Sequence, residues 1–302
     1  MRWFQAWLVI FILLIGGECT NGQQAFPDSS AINRNPWNLS ADVNVAQSQS
    51  AYSRNWDGEE EGTVAWTVSF NGSAEKQVQP KVNSRTTLKL EFGQTQTQDR
   101  QEETWSGPAK SVDNIDLESV LRYSAGIRID PFVAARFQSQ FTDIRGGREY
   151  SINPVIFTES VGLARSFWKR KDRHLIVRFG GAVRQRYDRN FLLDDSTGTR
   201  GAKTIHDAGI ETVSELTTPM LKERVRANAR LTVYQALYNS YAGELTGNAW
   251  KSADIDIEAI FTTRVTRLIA VNLNVRWLYD QEIDKAGRFK EFLTLGVAYS
   301  LL

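Results

Sequence analysis

Phe292-Leu-Thr-Leu-Gly-Val-Ala-Tyr-Ser-Leu-Leu302 repeats with a period of two. Leu293, Leu295, Val297, Tyr299 and Leu301 share one face of an extended strand, and Thr294, Gly296, Ala298 and Ser300 share the other. A half-buried strand of a soluble sheet alternates in the same way, so the period does not choose between folds. The choice comes from position, with Phe292, Gly296, Tyr299 and Leu301 spaced along the last stretch of the sequence, and from how often the pattern recurs upstream.

Working outward from the C-terminus, the same period returns eleven times. Ile269 to Trp277 sets Val271, Leu273 and Val275 against Asn272, Asn274 and Arg276. Ile255, Ile257, Ala259 and Phe261 oppose Asp254, Asp256 and Glu258, and Val225 to Val233 oppose Arg224, Arg226, Asn228 and Arg230. Ile210, Thr212 and Leu216 oppose Glu211 and Glu215; Leu175 to Val183 oppose Arg178, Arg184 and Arg186. Earlier runs lie at Val155–Phe167, Val133–Phe141 with Arg136 on its polar face, Ile115–Tyr123 with Asp116 and Glu118, Leu88–Phe92, Val64–Phe70 and Trp37–Val45. About twelve strands are expected, an even number as in bacterial single-chain barrels.

The connections alternate in length. Gln94–Ser111, Thr142–Asn153, Tyr187–Ala202, Leu237–Asn248 and Asp280–Lys290 are long, whereas Ser124–Asp130, Trp168–Arg173, Thr218–Glu223 and Arg264–Arg267 are short. Long outer loops and short periplasmic turns are a property of membrane barrels. All seven prolines fall in connections or at strand starts, where no ladder bond is lost. Trp37, Tyr123, Phe167, Trp168, Tyr187, Trp250, Trp277 and Tyr279 lie near strand ends, as interfacial girdles require. Beyond the N-terminus no apolar stretch is long enough for a spanning helix, so a membrane protein of this composition is a barrel.

Residues 1–22 read as a secretory signal peptide: Arg2 supplies the basic start, Trp7–Ile15 the apolar run, and Gly16-Gly17 the break. Cleavage after Gly22 leaves a short periplasmic segment, 23–35, before an all-β transmembrane barrel over 36–302. Cys19 is the sole cysteine and departs with the signal, which removes disulfides, thiol nucleophiles and cysteine metal sites.

The closing strand resembles the C-terminal recognition strand of bacterial outer-membrane barrels, with Phe292, Gly296, Tyr299 and Leu301 as the assembly signal, although an aromatic is usual where Leu302 stands. Trp37, Asn55-Trp-Asp-Gly58, Arg136-Phe-Gln-Ser-Gln-Phe141, Leu278-Tyr-Asp280, Phe289-Lys-Glu-Phe292 and Leu295-Gly-Val-Ala-Tyr299 together resemble a family of outer-membrane barrels typical of Bacteroidota and defined only as a domain of unknown function. Glu59-Glu-Glu61 departs from its usual pattern. The resemblance implies a barrel in the bacterial outer membrane, and as partners outer-membrane lipid, lipopolysaccharide and the barrel-assembly machinery. It implies no substrate.

The inward faces carry the chemistry. Arg136, Arg178, Arg184, Arg226, Arg230 and Arg276 are expected to line the lumen with Glu118, Glu211, Glu215, Asp254, Asp256 and Glu258. Two outcomes stay open: a small pore or passive channel whose charge rings select solutes, and a lumen plugged by its own ion pairs, acting as a structural or loop-binding barrel. A lipid hydrolase built on His206 and Ser214 lacks any sequence link between the two residues or an oxyanion donor. Asp57–Glu61 reads as a solvated acidic loop rather than a calcium site. No cofactor or metal is expected, and the balanced charge, Lys+Arg 36 against Asp+Glu 35, disfavours nucleic acid.

Overall fold

The computed structural model describes residues 37–50, 52, 61–99, 104–126, 128–169, 173–194, 196–243, 249–266, 269–282 and 284–300. The expected signal peptide, residues 23–35, Asn55–Gly58 with Glu59 and Glu60, and Leu301 lie outside the described residues. The strands are β1 (Asn38–Ser50), β2 (Thr63–Gln79), β3 (Val82–Thr97), β4 (Ala109–Tyr123), β5 (Asp130–Ser139), β6 (Thr142–Asp143), β7 (Tyr150–Ser151) and β8 (Val155–Lys169). They continue with β9 (His174–Asp194), β10 (Thr199–Met220), β11 (Val225–Asn239), β12 (Ala253–Arg264), β13 (Ile269–Asp280) and β14 (Asp284–Ser300).

Twelve of these close an antiparallel up-and-down barrel in the order β1-β14-β13-β12-β11-β10-β9-β8-β5-β4-β3-β2, and β6 with β7 forms a separate two-stranded hairpin in the β5–β8 loop. Closure leaves no sheet edge. The last strand meets the first from Asp42 opposite Ser300 to Ala46 opposite Gly296. Gly296 is needed there, because a Cβ would run into the Val45 carbonyl and sit 2.6 Å from Asn44 Oδ1.

The barrel is inside out relative to a soluble domain. Leu293 is 68 % exposed and Val161 61 %, while Glu118 and Arg178 are 5 % and 4 % exposed within the lumen. A continuous apolar outer band of this kind is stable against hydrocarbon, not against water. Exposed aromatics mark both rims: Trp37, Tyr123, Phe167 and Trp168 at the short-turn end, and Tyr187 at the long-loop end. Trp277 and Tyr279 stack there at 6.2 Å. Trp250 departs from the girdle and packs inward against Ala182, Tyr234 and Ala236.

Two expected long loops prove to be strand. Tyr187–Ala202 is largely the outer half of the β9–β10 hairpin, with turn residues at 196–198, and Asp280–Lys290 is the β13–β14 hairpin, with turn residues at 281–282. About ten residues suffice to cross the hydrocarbon, so strands of 21 and 22 residues project beyond it. Above the membrane the outward face needs no apolar residues, and the alternation that marks the buried part fades. Asn71–Gln79 and Val82–Thr87, which run to a two-residue turn at Pro80-Lys81, were hidden for a different reason: their outward positions include Gly72, Ala74, Ser84 and Thr86, small or polar residues that break the apolar alternation.

Candidate functional site

Antiparallel register puts charged residues of neighbouring strands side by side and aims them at the bore. Glu215 is opposite Arg230, Arg230 is opposite Glu258, and Glu258 is opposite Arg276. Their ion pairs do not all follow these ladders. Arg230 Nη1 reaches Glu118 of β4 at 2.7 Å and Glu215 at 3.0 Å. Arg178 reaches the same two carboxylates at 2.7 and 3.3 Å. Arg85 of β3 adds a third guanidinium to Glu215 at 3.3 Å, and Lys89 of β3 meets Glu258 of β12 at 2.7 Å.

These contacts span the lumen. The pairs β4–β11, β3–β10 and β3–β12 each have four strands between them the short way round, where a full diameter of twelve strands leaves five. Direct contact at 2.7–3.3 Å between these nearly opposite walls bridges the bore at that level. We call this layer the charge lock. Other pairs stay on one wall: Arg136 binds Asp116 through two hydrogen bonds, at 2.9 and 2.5 Å, and Arg276 binds Asp256 at 3.0 and 2.8 Å. Such fork-on-fork geometry is the strongest form of the interaction.

Below the lock, toward the short turns, the lumen opens into a cavity of about 1010 Å³. Asn44, Asn71, Asn272, Asn274, Thr87 and Thr294 are among its lining residues, and Lys89, Glu215, Arg230 and Glu258 reach it from the lock. Arg226 lines this vestibule opposite Pro219 and Thr262. Among the described residues it has no ion pair, so the acidic partner expected from the acidic, basic, acidic strand order is not found for it. Glu211 likewise has none among the described residues; it lies opposite Gly180 and Tyr234.

Above the lock, Arg184 bridges Asp207 at 3.2 Å and Asp254 at 2.9 Å. The β5–β8 loop is pinned beside it. Asp143, Asn153, Asp188 and Asn190 are essentially without solvent exposure. Arg145 joins Asp143 at 2.7 Å to Asp188 at 3.1 Å, and Asn153 Nδ2 donates to both, at 2.6 and 3.0 Å. Burial alone would raise the Asp143 carboxyl; hydrogen bonds from Arg145 and Asn153 instead hold it well below the usual carboxylate range. Sequence reading placed these residues in a loop and assigned them nothing. The missed signal was the Asp143-Ile-Arg145 spacing ahead of Asn153.

The other candidates resolve simply. His206 and Ser214 both lie on β10, eight residues apart and roughly 25 Å along an extended strand, so they form no dyad. Phe292 and Gly296 sit within β14, and Tyr299 pairs with Val43 through the backbone. No group of three His, Cys, Asp or Glu among the described residues is placed to hold a metal ion.

Residues 47–143 match the model of a family described as "Protein of unknown function (DUF3078)". That stretch contains Asn55–Gly58 and Arg136–Phe141 and leaves the closing motifs outside. No curated protein matches the chain. Similar solved structures include an outer membrane channel from Pseudomonas putida F1 (11 % identity, 92 % of this chain and 99 % of that one, TM-score 0.40). The translocator domain of the autotransporter NalP from Neisseria meningitidis is also similar (11 %, 89 % and 90 %, 0.39), as is the NanC porin (12 %, 86 % and 97 %, 0.35). These are loose likenesses of shape, and no function is carried over from them.

Proposed function

We propose that this protein is an outer-membrane barrel of a Gram-negative bacterium and that it is a closed channel: the charge lock shuts the lumen at mid-height, above a polar vestibule open toward the periplasm. The location rests on the apolar outer band between two aromatic rims around a polar lumen. The closed state rests on one observation, the contact of Glu118 with Arg230 from nearly opposite walls. Ions cannot share that level with the paired side chains, so permeation requires the pairs to part.

The lock is suited to gating as well as to stability. Its charges are satisfied by one another, and separating them without a substitute exposes each to a costly desolvated state. A solute or field that offers replacement partners lowers that cost. Phe292, Gly296 and Tyr299 in the closing strand are then residues for the assembly machinery to read during insertion, with lipid and lipopolysaccharide around the finished wall.

The test is ion flux into liposomes that carry the refolded protein. Wild type is expected to pass little more than empty vesicles, and Arg230→Gln is expected to raise the flux severalfold while the barrel keeps its heat-modifiable migration. Fast flux through wild type would rule out a closed resting lumen.

A further inference from the structure

The outer mouth of the lumen, above the charge lock, gathers negative charge around Arg184 among the described residues. Asp207 of β10, Asp254 of β12, and Asp280 and Glu282 at the β13–β14 turn face Arg184 of β9. The neighbouring cation Arg186 is engaged with Asp188 at 3.0 Å. Asn239 Nδ2 donates to Glu282 Oε1 at 3.5 Å, and the Glu282 amide donates to Asp280 Oδ1 at 3.0 Å, which holds the turn over the mouth. Four carboxylates against one guanidinium are not a balanced cluster.

Two buried polar atoms point to a ligand. Tyr234, only 4 % exposed, stands opposite Asp254 in the register and lies under Arg184, whose Cζ is 4.3 Å from the ring centre. Its hydroxyl has no hydrogen-bond partner among the described residues, and the charges of Arg184, Asp207, Asp254 and Glu211 act on it. Asp207 is 5 % exposed, and its Oδ1 has no partner among the described residues although Oδ2 binds Arg184. Leaving such atoms unpaired is costly, and a donor between them would satisfy both. No three acids here converge closely enough for one metal ion. The charge is spread, which suits a cation with separated N–H donors.

We propose that this mouth binds a small organic dication of the diaminoalkane class, with Asp207, Asp254 and Glu282 accepting its ammonium protons and the Tyr234 hydroxyl at its floor. The site is independent of the charge lock. Glu282 stands at the solvent edge, where partial desolvation and then the charges of Asp280, Asp207 and Asp254 push its carboxyl up to about 7. Binding therefore strengthens as the pH rises through 7 and releases a proton when it occurs below that point.

The experiment is titration calorimetry of the refolded full barrel with 1,4-diaminobutane at pH 7, in two buffers of different ionisation enthalpy. Saturable one-to-one binding with proton release is expected. Asp254→Asn and Tyr234→Phe are expected to weaken it at least tenfold, Glu282→Gln to remove the proton release, and the lock variant Arg230→Gln to change nothing. Absence of heat at millimolar diamine, equal affinity in Asp254→Asn and Glu282→Gln, or equal competition by magnesium chloride would overturn the proposal.

Discussion

Two levels of the lumen are lined by polar side chains and use them in opposite ways. At mid-height, Glu118, Arg178, Glu215 and Arg230 consume one another's charge and bridge the bore. In the short-turn half, asparagines and threonines leave a cavity of about 1010 Å³. The difference follows from side-chain type. Long charged side chains on opposite walls gain by reaching across, because a buried charge without a partner costs several kcal/mol. Short neutral amides and hydroxyls gain little by reaching and can remain hydrated at the wall. The bridge across the lumen is thus a property of charge placement rather than of barrel size.

The largest effect should come from breaking the lock on one side only. Glu118→Gln leaves Arg178 and Arg230 short of a shared carboxylate and should destabilise the barrel by about 3–5 kcal/mol, read as a lower urea midpoint for unfolding from detergent or bilayer. A wall pair sharpens the comparison. Asp256→Asn breaks Arg276–Asp256, a part-exposed contact on adjacent strands, and should cost about 1 kcal/mol and leave conductance at the wild-type level. Loss of closure in this variant would show that wall pairs also hold the lock.

In the vestibule, Asn272→Ala removes the acceptor of the Thr262 hydroxyl at 2.8 Å and should cost about 1 kcal/mol. A cysteine at Asn71 should react with a small membrane-impermeant thiol reagent from the short-turn side and not from the other. Labelling from both sides would show that the lock leaks.

The smallest effect is at the outer mouth. With its carboxyl raised from 4.5 to about 7, Glu282 contributes its full stability below about pH 4.5 and loses it as the pH rises through 7. Because this side chain meets solvent, screening should hold the change to about 0.5 kcal/mol or less. Glu282→Gln should flatten that part of the stability–pH curve.

The barrel was legible in the sequence because the strand period, as in Leu293, Leu295 and Val297 against Thr294 and Gly296 or Ile255 and Ile257 against Asp254 and Asp256, recurs about twelve times with long and short connections in turn. The inward position of the charges followed from the same period. Their partners were not legible. Arg230 stands beside Glu215 and Glu258 in the ladder and binds Glu215, but Glu258 goes to Lys89 and Arg230 also takes Glu118 from the far wall. Which walls face each other depends on strand number and closure, which no local period contains. Arg85 and Lys89 escaped notice because β3 was read only from its apolar face at Leu88–Phe92. The hairpin extensions of β9–β10 and β13–β14 were read as loops because alternation stops where lipid stops.

The most direct test of the account is single-channel recording in planar bilayers, wild type beside Glu118→Gln/Arg230→Gln. The double variant removes one charge of each sign across the bore, so it keeps the balance that folding needs and loses the cross-lumen contact. The account predicts a silent wild type and steady, resolvable steps from the variant. Steady steps from wild type, or silence from a variant shown to be folded and inserted, would contradict it.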